Sequence, residues 1–226
     1  MTWSDEAWKE IENIYQKILD SPFVVELGNG SLSKSRFVTY MKQDKLYLND
    51  YARALALIAA HAYTPQDTTV FASFAQTAAE AEQSLHDFYL DFHKDADNVG
   101  GIETTKNVTC ELYTSFLLRH AAMSPVEIAA AAVLPCFWIY DAVGIHHRAR
   151  LEEHKIANKN HPYAKWIEMY SSVEFTSGTM QAREFCDRLA ANTTPEIRRK
   201  MTEVFVKASL MEHMFWNAAW DDQQWP

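Results

Sequence analysis

Apolar side chains recur at three- and four-residue spacings along almost the whole chain, the rhythm of helices that bury one face. Helix starts separate the periodic stretches. Ser4 opens a helix running to about Leu19, Ser33 one to about Ala62, and Asp67 one to about His93. Further helices are expected at about 107–122, 124–150, 162–170, 176–191 and 195–220. Ser124-Pro125-Val126-Glu127 reads as a capping box with proline in the first turn, and His161-Pro162 and Thr194-Pro195 read as two more starts. The most loop-like stretch is 94–106, with Gly100-Gly101. There is no strand-like alternation of useful length and no low-complexity segment. The pattern predicts one all-α domain over 1–226, a bundle of long and short helices.

Three positions break the pattern. The stripe Phe37, Met41, Asp44, Leu48, Tyr51, Leu55, Ile58 has a carboxylate in its middle, flanked by Tyr40, Tyr47 and Tyr51. Another stripe, Met201, Phe205, Ala208, Glu212, Phe215, Ala219, is interrupted by Glu212. A carboxylate facing a core must be paired, hydrogen-bonded or protonated. The structural alternative is a pair of acids satisfied by tyrosine hydroxyls or by an arginine such as Arg53. The third break is Pro135, well inside a strongly helical run and next to Cys136, with Tyr140 one turn on. Proline there removes an amide donor and costs roughly 3 kcal/mol, so a kink or break is expected beside the thiol. Cys110 and Cys186 have no such neighbours and read as core.

Composition narrows the function classes. Lys+Arg 21 against Asp+Glu 30 gives a net charge of −9. An acidic chain without a basic run is a poor partner for nucleic acid or anionic membranes. The 13-residue apolar run at 128–140 is too short for a membrane span, which takes about 18 residues or more. The first ten residues carry acids and no apolar segment, so no signal peptide is expected. The 3 cysteines show no metal spacing and suit a reducing cytosol as free thiols. None of the 9 histidines has glutamate three residues before it, which disfavours a ferritin-like metal site. Glu82 and His86 read as a surface pair, and His146, His147 and His154 as solvated.

Gln43-Asp44-x-x-Tyr47-Leu48-x-x-Tyr51-Ala52, Leu134-Pro135-Cys136-x-Trp138-x-Tyr140, His161-Pro162-x-x-x-Trp166-Ile167-x-x-Tyr170 and Glu212-x-x-Phe215-Trp216 together resemble the TenA family, the thiaminase II proteins. The resemblance runs from Pro22-Phe23-Val24 to Trp220. It implies a heme-oxygenase-like multi-helix bundle that binds no heme, needs no cofactor or metal, and assembles as a homotetramer. It also implies hydrolysis of 4-amino-5-aminomethyl-2-methylpyrimidine to ammonia and the hydroxymethyl pyrimidine, and cleavage of thiamin with the thiazole leaving, in thiamin salvage. Carried over by position, Cys136 is the nucleophile, Glu212 the acid, and Asp44 the carboxylate that grips the aminopyrimidine. Tyr47, Tyr113, Tyr140 and Tyr170 are pocket tyrosines, and Phe215 is a ring-stacking residue. Asp141, Met211 and His213 depart from the aromatics common at their places in relatives, which bears on pocket shape.

The chemistry has a use for each. Direct displacement at a carbon outside an aromatic ring is slow. Addition of a soft thiolate to the ring, beside a ring nitrogen, breaks aromaticity and lets an electron pair expel the leaving group. The ring nitrogen must gain a proton, which asks for a carboxyl with a raised pKa. A second carboxylate can hold the amino group, and tyrosines can clamp the flat ring. The rival readings are a helical-bundle metal oxygenase and a pyrimidine-binding or regulatory protein without turnover.

Overall fold

A computed structural model describes residues 1–92, 105–154 and 161–226, without the side chains of 81–92. The described residues are helical, with α1 (Trp3–Leu19), α2 (Pro22–Asn29), α3 (Lys34–His61), α4 (Pro65–Phe92), α5 (Val108–Met123), α6 (Val126–Glu153), α7 (Ala164–Tyr170), α8 (Val173–Ala191) and α9 (Pro195–Trp220). Most of the predicted loop at 94–106 and the Glu82–His86 pair lie outside the described side chains.

The three longest interior stripes meet. Helix α3 packs against α4 and α5, while α6 packs against α9 and α8, and α3 also touches both α6 and α9. All six positions of the α9 stripe, Glu212 included, are buried. Helix α6 is long and apolar enough to cross a membrane, yet 78% of its most apolar stretch is buried inside the protein. It is the helix around which the others pack. Aromatic contacts tie the outer helices to it: Trp8 of α1 stacks on Trp138 at 4.4 Å, with the Arg183 guanidinium of α8 3.8 Å from the Trp138 ring. Trp216 is core, whereas Trp220 is partly exposed under the Arg36 guanidinium at 3.6 Å.

Several expected boundaries shift, each for a hydrogen-bonding reason. Thr2, rather than Ser4, caps α1 in a reciprocal capping box with Asp5, while Ser4 is buried and donates to Asp187 at 2.9 Å. Ser124 does not cap α6. It ends α5, its hydroxyl meets His120 at 2.9 Å, and Pro125 takes the cap position with no side-chain bond. Ser172 caps α8, which therefore begins one turn earlier than expected. Helix α2 was not expected; its proline start and its left-handed Gly30 end enclose only eight residues.

Proline does not break α6. The helix runs through Pro135 without interruption. The Tyr51 hydroxyl donates to the Val133 carbonyl at 2.9 Å, supplying a hydrogen bond to the backbone in the turn before Pro135. His147 is also corrected: it is 3% exposed, not solvated, because α2 covers it. A side-chain carbon on Gly28 would sit 2.1 Å from its ring. Burial holds the His147 imidazole neutral, its pKa lowered to about 3.

Gly144 sets how closely α7 approaches α6. A carbon added there would lie 2.5 Å from the Tyr170 backbone, which cannot rotate away as a side chain would. Gly144→Ala is expected to cost about 1–3 kcal/mol in chemical denaturation by forcing the α6–α7 contact apart. An unchanged denaturation midpoint would contradict this close fit.

Candidate active site

Helices α3, α4, α6 and α8 and the end of α7 enclose a cavity of about 470 Å³. Four of the residues singled out in the sequence line it: Asp44 from α3, Cys136 and Tyr140 from α6, and Tyr170 from α7. Asp44 is 3% exposed. Cys136 is partly exposed toward the cavity, whereas Cys110 and Cys186 are buried away from it. Tyr140 and Tyr170 pack ring to ring at 4.9 Å.

The other four do not reach the wall; they form the layer behind it. Glu212 is 1% exposed and accepts a hydrogen bond from the Tyr113 hydroxyl at 2.7 Å. Tyr113 packs on Tyr47 at 5.0 Å, and Tyr47 packs on Phe215 at 5.6 Å and stacks on Tyr51 at 5.5 Å. Phe215 therefore supports tyrosines instead of facing the cavity. Tyr51 joins the two layers, since it lines the cavity and its hydroxyl holds Val133. The Tyr47 hydroxyl is buried beside the Cys136 sulfur without a well-formed hydrogen bond. Arg53 does not serve either buried acid; it pairs with Asp50 at 2.7 Å.

Electrostatics follow from this layering. Burial pushes the Glu212 carboxyl up to about 8, and the nearby Asp44 carboxylate adds to the rise, while the Tyr113 hydrogen bond pulls it back. Burial, then the Glu212 charge, raises the Cys136 thiol well above its ordinary value; contacts with the Tyr47 and Tyr51 hydroxyls oppose this. At neutral pH the site thus holds a protonated acid behind a protonated thiol. The two groups are close enough for the charge of one to shift the titration of the other. Among the described residues, no group of three or more His, Cys, Asp or Glu is placed to hold a metal ion.

Sequence reasoning under-rated Tyr51 and missed the outer wall, formed by Phe74 of α4 and by Glu174 and Phe175 of α8. Tyr51 was legible, since it sits two turns after Asp44 on the same stripe. Glu174 was not, because it precedes the expected start of its helix.

Residues 8–222 match the TENA/THI-4/PQQC family model. The chain belongs to the TENA/THI-4/PQQC family. It is 32% identical to the aminopyrimidine aminohydrolase of Bacillus subtilis, over 100% of this chain and 92% of that protein. It is 30% identical to the aminopyrimidine aminohydrolase of Halalkalibacterium halodurans, over 100% and 98%. It also matches the thiamine biosynthesis multifunctional protein ThiED of Corynebacterium efficiens at 32% identity, using 94% of this chain but only 27% of that longer protein. Among solved structures, a TenA homologue from P. horikoshii OT3 superposes with a TM-score of 0.80 at 27% identity, over 98% of this chain and 99% of the other. A Shewanella denitrificans domain described as having a heme oxygenase-like fold superposes with a TM-score of 0.69 at 16% identity, over 96% and 92%. The expected heme-oxygenase-like architecture is therefore the fold of this family member.

The raised Glu212 carboxyl links stability to pH. The folded chain holds this proton more tightly than the unfolded chain, where a glutamate titrates near 4.5. Its contribution to stability is complete below about 4.5 and is lost as pH rises to about 8. Glu212→Gln keeps an acceptor for Tyr113 and removes the titration. Its stability relative to the parent should therefore rise across that window, on the order of a few kcal/mol by pH 9. Parallel stability–pH curves for the two proteins would contradict the raised pKa.

Proposed function

We propose that this chain is an aminopyrimidine aminohydrolase of the thiaminase II type. It hydrolyses 4-amino-5-aminomethyl-2-methylpyrimidine to ammonia and the hydroxymethyl pyrimidine, cleaves thiamin with release of the thiazole, and serves thiamin salvage. The single observation that carries the reading is the pairing of Cys136 and Asp44 on one aromatic-walled cavity, with a protonated Glu212 directly behind. The names of the relatives from Bacillus subtilis and Halalkalibacterium halodurans support the substrate class.

Asp44 accepts hydrogen bonds from the 4-amino edge of the ring, and the contacting Tyr140–Tyr170 pair packs against one side of it. The Cys136 sulfur bonds to the ring carbon beside a ring nitrogen. As it does so, the Glu212 proton passes to that nitrogen and the thiol proton passes to the Glu212 carboxylate. The ring, no longer aromatic, lets the 4-amino electron pair expel the aminomethyl nitrogen, which enters as the ammonium, as ammonia. Water then adds to the methylene carbon and releases a proton. Finally the carbon–sulfur bond breaks, aromaticity returns, and the ring-nitrogen proton travels back through Glu212 to sulfur. Tyr113 positions Glu212, and Tyr47 and Tyr51 steady the sulfur. No step calls for a cofactor or metal.

The enzyme is further proposed to work in the cytoplasm as a homotetramer, without nucleic-acid or membrane partners. Three free thiols support the compartment. Exposed Leu112, Leu210 and Met214, side by side along an α5–α9 groove, support the assembly.

Incubation with the aminomethyl pyrimidine and with thiamin, followed by ammonia and product detection, tests the activity. Turnover of the aminomethyl pyrimidine should fall by roughly 10³-fold or more in Cys136→Ser, with an unaltered helical circular dichroism spectrum. Near-normal hydrolysis by that variant would remove the covalent step, and binding without turnover by the parent would remove the enzyme. In the parent, kcat/KM should decline as pH rises through about 8, where Glu212 loses the proton it donates. A profile flat to pH 9.5 would take that role from Glu212.

A further inference from the structure

The cavity is larger than the ring proposed to bind in it. A pyrimidine with its amino, methyl and aminomethyl groups has ten non-hydrogen atoms. Even at the roughly 30 Å³ that a water molecule claims in the liquid, these fill at most about 300 Å³, against about 470 Å³ of cavity. The surplus lies toward the outer wall, because Asp44, Cys136, Tyr140 and Tyr170 take up the inner end. That outer wall differs in character. It carries Ser73 and Thr77 of α4 and Glu174, Ser177 and Gln181 of α8, where the inner end is tyrosine and sulfur.

Charge on the wall has one sign. Among the described lining residues only Asp44 and Glu174 carry charge, both are acids, and no Lys, Arg or His joins them. Asp44 is buried at the inner end, whereas Glu174 is exposed at the rim and forms no ion pair among the described residues. The rim is also held in place. The Thr176 hydroxyl donates to Asp141 of α6 at 2.6 Å, and the Thr179 hydroxyl donates to the Phe137 carbonyl at 3.3 Å. These bonds fasten the first turns of α8 to the same helix that carries Cys136 and Tyr140. Glu174 thus stands at a fixed place relative to the sulfur.

We propose that the outer half of this cavity is a subsite for a cationic leaving group, with Glu174 as its counter-charge. The chemical class it takes is a heteroaromatic cation joined through one methylene to the aminopyrimidine, such as the thiazolium of thiamin. The inference rests on the hydrolase reading and deepens it: the inner end recognises the pyrimidine common to all substrates, and the rim discriminates among leaving groups by charge. Glu174 acts as a specificity-determining residue with no part in bond making. A net charge of −9 gives the whole chain a field that draws the same ligands in.

Calorimetry on the Cys136→Ser protein, which holds ligands without consuming them, measures Kd for thiamin and for the neutral hydroxymethyl pyrimidine. The readout is the ratio of the two. Adding Glu174→Gln should shift that ratio about fivefold against thiamin at low salt, and less at high salt, as expected for a rim charge. Glu174→Asp should restore most of it. A ratio unmoved by Glu174→Gln overturns the proposal, whether both affinities fall together or neither does, since a merely structural role in α8 would act on both ligands alike. Failure of the hydrolase reading is separate: it would show as absence of ammonia release by the parent protein.

Discussion

Glu212 is kept away from water at the centre of a helical bundle, and most of the surrounding structure follows from that burial. A carboxyl there keeps its proton to about pH 8 because burial outweighs what its one hydrogen bond gives back to the charged form. Tyr113 gives it one hydrogen bond. Tyr47, Tyr51 and Phe215 pack around that tyrosine and extend the dry layer to the wall of the cavity. The acid, the thiol and the second carboxylate come from α9, α6 and α3, so the bundle must close before the site exists. Packing and chemistry are here the same set of contacts.

The rigidity of the wall comes from small, specific devices. Tyr51 ties α3 to the backbone of α6 at Val133, three residues before the thiol. Gly144 lets the backbone of α7 approach closely enough for Tyr170 to meet Tyr140. Two threonines fasten α8 to α6. None adds much to the core, yet each fixes a lining residue relative to Cys136. In the proposed reaction, preorganisation of this kind would let the thiol add to a bound ring without first rearranging its surroundings.

Much of this was legible in the sequence. The stripes containing Asp44 and Glu212 are buried as their spacing requires, except at Leu48, which is partly open to the cavity. That α6 runs on through Pro135 was not legible, since the tyrosine that bonds to the Val133 carbonyl lies 82 positions away in the chain. His147 was misjudged because α2, too short to show a periodic stripe, covers it. Tyr47, Tyr113 and Phe215 fall one layer behind the cavity. Helical spacing can identify which side of a helix is buried, but not whether that side meets a cavity or another ring. Glu174 gave no signal at all, since it falls between two expected helices and the cap that brings it into α8 is Ser172.

The most direct measurement is a crystal structure of the protein with the hydroxymethyl pyrimidine bound. The ring should lie against the Tyr140–Tyr170 pair, with its amino edge on Asp44, a ring nitrogen turned toward the Glu212 side and the adjacent ring carbon in van der Waals contact with the Cys136 sulfur. A ring bound outside this cavity, or inside it with Cys136 facing only the methyl group, would contradict the proposed chemistry.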